Sequence, residues 1–124
     1  MTFPPNGWQQ YQGRRGAIAN ILDPRCYTIE WLDTMVVNGD ALVFASKEAV
    51  IVMAVKQYPA GATELHGLVC VGDMNAALLL LDEAEAWANQ QRVTFSCVAS
   101  REGWRRVLKD RGYSLYQTEL RKEL

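Results

Sequence analysis

Two short stretches hold residue types whose spacing could do chemistry. The first is LVCVGDMNAALLLL, Leu68 to Leu81, where an apolar run passes through one glycine into Asp-Met-Asn and a run of leucines. A strand that turns through glycine into a helix N-terminus leaves backbone N–H groups unpaired at the positive end of the helix dipole, which suits a phosphate. In that reading the cradle is the backbone of Val69, Val71, Gly72, Asp73, Met74 and Asn75. The competing and favoured reading is a tight corner in which the Asp73 carboxylate itself accepts the free N–H groups as an N-cap.

The second stretch is TELHG, with Glu64 and His66 two residues apart. On a strand that spacing puts both side chains on one face. An imidazole titrates in the range a general base needs, so the pair could take up a proton from a substrate. Against this stand a hydrogen-bonded structural histidine and a solvated Glu64 near the start of its strand, and these are favoured.

Metal and thiol chemistry find little support. Cys26, Cys70 and Cys97 are odd in number and far apart, so neither a disulfide framework nor a zinc site is expected, and no metal is expected. Cys70 and Cys97 lie in apolar runs and read as small buried hydrophobes. His66 is the single histidine of the chain, which leaves a nucleophilic thiol almost no choice of base.

The elements that must position these residues follow from periodicity. Residues 1–27 are read as an irregular arm, rich in Pro, Gly, Gln and Asn at its start, with a turn or two of helix over Ala17–Leu22 before Asp23-Pro24. TIEWLDTMVVNGD is helical, capped by Thr28, with Ile29, Leu32 and Val36 on one face and Gly39 ending it. ALVFAS (41–46), AVIVMAVKQY (49–58) and ATELHGLVCV (62–71) are three strands of an antiparallel meander. A helix with Ala77, Leu80, Leu81, Ala84, Trp87 and Ala88 on its apolar face leads to the strand VTFSCV (93–98), which a βαβ crossover makes parallel to 62–71. REGWRRVLKDR is a second helix closed by Gly112, and SLYQTELR is expected as an antiparallel edge strand.

The totals set outer bounds. A chain of 124 residues is one domain, here read as 28–124 behind the arm, and buries about two-thirds of the surface it exposes unfolded. Its net charge of −1 gives no overall field toward nucleic acid or an anionic membrane. No apolar run nears the roughly 18 residues of a membrane span, and the start lacks signal-peptide order, so a cytoplasmic location is expected. Arg101, Arg105 and Lys109 form a basic stripe, read as a solvated face rather than a contact for an acidic partner. Trp8, Tyr11, Tyr27 and Trp31 are either a lid across the sheet or a protein contact.

The order α-β-β-β-α-β-α-β, a mixed sheet of the α+β class with helices on both faces, resembles the GNAT acetyltransferase superfamily over residues 28–124. SREGWRRVLKDRGY is similar to the superfamily's late helix, with Gly112-Tyr113 at the place of its Gly-Phe end. The pieces NGDALVFA, EAWANQQ, SREGWRRVLKDRGY and LRKEL look like small GNAT-like proteins encoded among head genes of tailed phages and prophages.

The resemblance implies acetyl-CoA held at a Gln/Arg-x-x-Gly-x-Gly/Ala turn, a tyrosine acid on the late helix, and a base on the central strand. The chain departs at two of these. Val71-Gly72-Asp73-Met74-Asn75-Ala76-Ala77 is shorter, has one glycine, lacks the Gln or Arg, and puts a carboxylate where pyrophosphate would lie. Leu108 stands at the position of the tyrosine. The expectation is therefore a non-catalytic GNAT-like virion or assembly component in the host cytoplasm or virion, without a cofactor. Its partners would be other proteins, phage structural proteins or further copies of itself. The alternative is an acetyl-CoA-dependent N-acetyltransferase acting on a protein or small amine, with Glu64 or His66 as base.

Overall fold

The computed structural model describes residues 7–124. Three apolar runs rich in β-branched residues build the centre: β1 (Leu42–Ala45), β2 (Ala49–Gln57) and β3 (Thr63–Gly72). They pair as an antiparallel meander, Phe44 opposite Ile51 and Val50 opposite Val71. β4 (Phe95–Cys97) adds in parallel to the far side of β3, giving the order β1-β2-β3-β4. The parallel pairing demands a crossover, and α4 (Met74–Gln90) supplies it.

Helices cover both faces because successive strand residues point to opposite sides. On one face α4 buries Ala77, Leu80, Leu81, Ala84, Trp87 and Ala88 against Phe44, Ile51, Met53 and Leu65. Trp87 meets Phe44 edge-on at 6.3 Å, and Leu108 from α5 (Glu102–Lys109) joins this core. On the other face α3 (Ile29–Val37) presents Leu32 to Val50 and Val52. Thr28 caps α3 through the Trp31 amide, and Gly39 turns the chain out at φ 79°.

The pairing of β3 with β2 is broken at one point. Val52 pairs with Val69, but Met53 pairs with Gly67, so Leu68 is an extra residue that opens a β-bulge. It reverses the alternation. Leu65 packs under α4, whereas Val69 and Val71 pack under α3.

The N-terminal segment corrects the reading of an irregular arm. Its first six residues lie outside the described residues, but α1 (Trp8–Gly13) is helical, and α2 (Arg15–Ile21) is the short helix expected over Ala17–Leu22, begun two residues earlier. Tyr11 and Ile18, both fully buried, pack with Leu32 under the sheet. Burial of two side chains outweighs weak helix propensity in a segment this short. The Tyr11 hydroxyl donates to Asp33 at 2.7 Å, and Arg15 forms a two-pronged pair with the same carboxylate at 2.7 and 3.0 Å. Those bonds, from Arg15 first and then Tyr11, hold Asp33 below the usual carboxylate range against the opposing effect of burial.

A depressed folded-state pKa adds stability above the unfolded value, and that stability is lost as pH falls through the folded value. Asp33→Asn is accordingly expected to unfold at lower temperature than the wild type at pH 6. The gap should narrow as the pH falls below about 4, which a pair of melting series would show.

The C-terminal segment is the second correction. SLYQTELR forms no strand, and Leu115, Tyr116 and Leu120 are exposed. Leu115 and Leu120 are five apart, an odd spacing that puts them on opposite faces of any strand. The tail is drawn elsewhere: Tyr113 anchors its start to Ser96 and Glu85 at 2.6 Å each, and Arg25–Glu123 (2.7 Å) and Arg121–Asp23 (3.5 Å) tie its end to the turn after α2. Among the described residues no helix is long and apolar enough to cross a membrane.

Candidate functional site

β3 carries both candidate stretches, about six residues or roughly 20 Å apart. At its C-terminal end the strand passes into α4 through Asp73 alone. The Asp73 carboxylate accepts from the Ala76 amide at 2.9 Å, and the Asp73 amide donates to the Glu48 carbonyl at 2.9 Å. Gly72 has φ +108°, and a Cβ there would overlap the Glu48 carbonyl oxygen. The glycine is thus required by the close approach of β2. Val69 and Val71 are buried against α3, while Met74 and Asn75 stand exposed on the first turn of α4.

These residues do not fit a pyrophosphate. The helix N-terminus already has an anion bonded to it, and no loop is present to wrap a second one. Asp73→Ala is expected to lower stability by about 1 kcal/mol through loss of the cap, read from the urea midpoint. Leu108, at the position expected for an acid, is 4% exposed and packed in the core under α4.

The N-terminal half of β3 is different. Glu64 is not solvated as its place in the sequence implied; it is 4% exposed and the centre of a hydrogen-bond network. The Tyr58 hydroxyl donates to one carboxylate oxygen at 2.5 Å, and His66 Nδ1 lies 2.9 Å from the other. The Cys97 thiol on β4 is a third donor. Burial alone would raise the Glu64 pKa, but donors from Tyr58, Cys97 and His66 outweigh it and hold the carboxyl below its usual range. In return the Glu64 contact, more than burial, pushes Tyr58 up to about 12, and burial followed by Glu64 pushes Cys97 up to about 11. A thiol so displaced is no nucleophile at neutral pH.

β3 and β4 are paired only from Glu64–Phe95 to His66–Cys97. Beyond that pairing, beside the Leu68 bulge of the β2–β3 ladder, lies a cavity of about 190 Å³. His66 and Leu68 line it from β3, Ala99 from the segment after β4, and Tyr27, Trp31 and Leu32 from α3 and its approach. The Glu64 carboxylate accepts from Nδ1–H of His66, and Nε2 is the ring nitrogen on the far side from that contact. Sequence spacing finds Glu64 and His66 together. It does not find Tyr58, which folds back across a turn, or Cys97, which arrives from another strand.

No family model matches the chain, and no curated protein sequence matches it. Solved structures do. A probable acetyltransferase superposes with a TM-score of 0.70 at 11% identity, covering 100% of this chain and 97% of the other. A GCN5-related N-acetyltransferase from Ralstonia eutropha JMP134 gives 0.69 at 16% identity, with coverage of 95% and 92%. This is the GNAT fold. A predicted acetyltransferase from Clostridium acetobutylicum, solved with acetyl-CoA, gives 0.64 at 14% identity over 93% and 84% of the two chains. In this fold α4 follows β3 directly through the corner at Gly72-Asp73.

Proposed function

We propose that this GNAT-fold chain binds rather than transfers, working through protein contacts as a component or assembly factor of a phage or prophage particle. The observation that carries the reading is the Asp73 carboxylate on the Ala76 amide, an internal anion at the point where a cofactor pyrophosphate would have to sit. Leu108 supports it, because a core leucine has no proton to give to a leaving thiolate. The likeness of NGDALVFA and LRKEL to phage head-gene products gives the particle context.

A second reading is favoured by one observation of its own. Glu64 orients His66 at the mouth of a cavity, and Nε2 would accept a proton from an amine held there, as an N-acetyltransferase requires. A thiol-release assay with acetyl-CoA and a panel of peptides and small amines separates the two. No release across the panel agrees with the binding role, whereas release that His66→Ala abolishes establishes transfer.

A further inference from the structure

α5 and its two ends carry charge that the fold does not require. Five of the chain's 13 Lys and Arg fall within residues 101–111, against two of its 14 Asp and Glu. α4, packed into the same core, holds no Lys or Arg along its 17 residues. The remainder of the chain is net negative, so positive charge is concentrated on this one helix. Two of the five cations have partners: Arg105 pairs with Glu102 at 3.3 Å, and Arg111 with Asp82 at 3.0 Å. Among the described residues Arg101, Arg106 and Lys109 make no ion pair, and all three are exposed. The negative end of the helix dipole accounts for Arg106 and Lys109, which stand in the last turn. It does not account for Arg101, which stands at the positive end as the N-cap and makes no capping bond with its side chain.

Spacing makes these side chains one surface. Arg101, Arg105 and Lys109 are four residues apart and form a row about 12 Å long, with Arg106 beside it. Trp104 lies three residues from Arg101 at the edge of the row, half-buried, with part of its ring on the core that α4 and Leu108 share. Arg and Trp are residue types that anchor protein interfaces. A row of this length meets about three carboxylates on a short segment. A nucleic-acid duplex, charged about every 1.7 Å along its axis, would run past the row onto the net negative remainder of the chain.

We infer that α5 is a docking surface for a short acidic segment of a partner protein, whose carboxylates meet Arg101, Arg105, Arg106 and Lys109. This rests on the reading that the chain works through protein contacts, and it gives the chemistry of one such contact. Arg105 exchanges the exposed Glu102 for a carboxylate of the partner, and the other three cations gain a counter-charge that the chain itself does not supply.

Fluorescence anisotropy of the full chain with a labelled Glu/Ala peptide of about 12 residues, its Gln/Ala counterpart and a DNA duplex of about 12 base pairs tests it. At about 50 mM salt the Glu/Ala peptide should bind about tenfold tighter than the Gln/Ala peptide, and at about 500 mM the ratio should fall to about threefold or less. Arg101→Gln, Arg106→Gln and Lys109→Gln together should remove the preference and leave the melting temperature unchanged. Lys47→Gln, Lys56→Gln and Lys122→Gln, the same loss of charge at exposed positions elsewhere, should keep it. No preference for the Glu/Ala peptide, equal losses in the two triple variants, or a duplex bound more tightly than the peptide through the same three residues would each overturn the inference. No preference while no thiol is released from acetyl-CoA sinks this inference alone, whereas a preference alongside thiol release sinks only the binding-only role.

Discussion

Gly72→Ala is expected to cost about 3 kcal/mol or more, lowering Tm by about 10 °C or more in a domain of this size. At φ +108° an L side chain is strained whatever the space around it. Here the space is also taken. The added Cβ would overlap the Glu48 carbonyl oxygen and lie 2.7 Å from the Ala49 Cα, both backbone atoms that cannot swing aside. Relief requires β2 and β3 to part at the point where Asp73 bonds to Glu48. Gly61→Ala is the control: φ is +103° there, but nothing lies within 4 Å, so the loss should be about 1 kcal/mol. Near-equal losses at the two positions would show that conformational strain alone, and not the close approach, fixes the corner.

Glu64→Leu carries the second large effect, a loss of about 2 to 4 kcal/mol. The substitution removes the acceptor shared by His66, Cys97 and Tyr58. Tyr58, 41% exposed, can turn its hydroxyl to water, so the cost falls on the more enclosed His66 and Cys97. A group left without its partner in a low-dielectric site costs more than the bond itself contributes. Glu64→Gln keeps an acceptor and the shape, and should lose less than half as much, measured by chemical denaturation. In both variants His66 loses the carboxylate that fixes its tautomer, so its imidazole NMR signals should show both tautomers populated.

Much of the fold was legible because the signals were local and repeated. The apolar face of α4, the meander and the parallel β4 follow from periodicity and from the length of the crossover. Gly39 and Gly112 turn out at positive φ where helix ends require them. What escaped depended on distant contacts. Tyr11 is helical because it reaches the sheet, which no property of the Gln- and Gly-rich segment announces, whereas α2 matches the short helix expected over Ala17–Leu22. The tail from Ser114 was read as a strand from its alternation, yet Leu115 and Leu120 lack a common face and its charges pair with the turn after α2.

The candidate site divides in the same way. Asp73 as a cap could be read from its place before an apolar helical run, and the structure has that bond. That Glu64 and His66 share a face was also readable. The burial of Glu64 was not, because its enclosure comes from Tyr58 across a turn and Cys97 on β4. The Leu68 bulge, which reverses the strand's two faces, went unread although Gly67 beside it, a glycine inside a strand pattern, was its signal.

The measurement that tests the central claim most directly is thermal unfolding of the pure chain with and without millimolar acetyl-CoA. A ligand at about 100 times its Kd adds roughly 2.7 kcal/mol, which raises Tm by several degrees in a domain of this size. With the Asp73 carboxylate on the helix N-terminus, no shift is expected. A rise of several degrees would contradict the binding-only role, and would mean that the cofactor is held by backbone groups away from this corner.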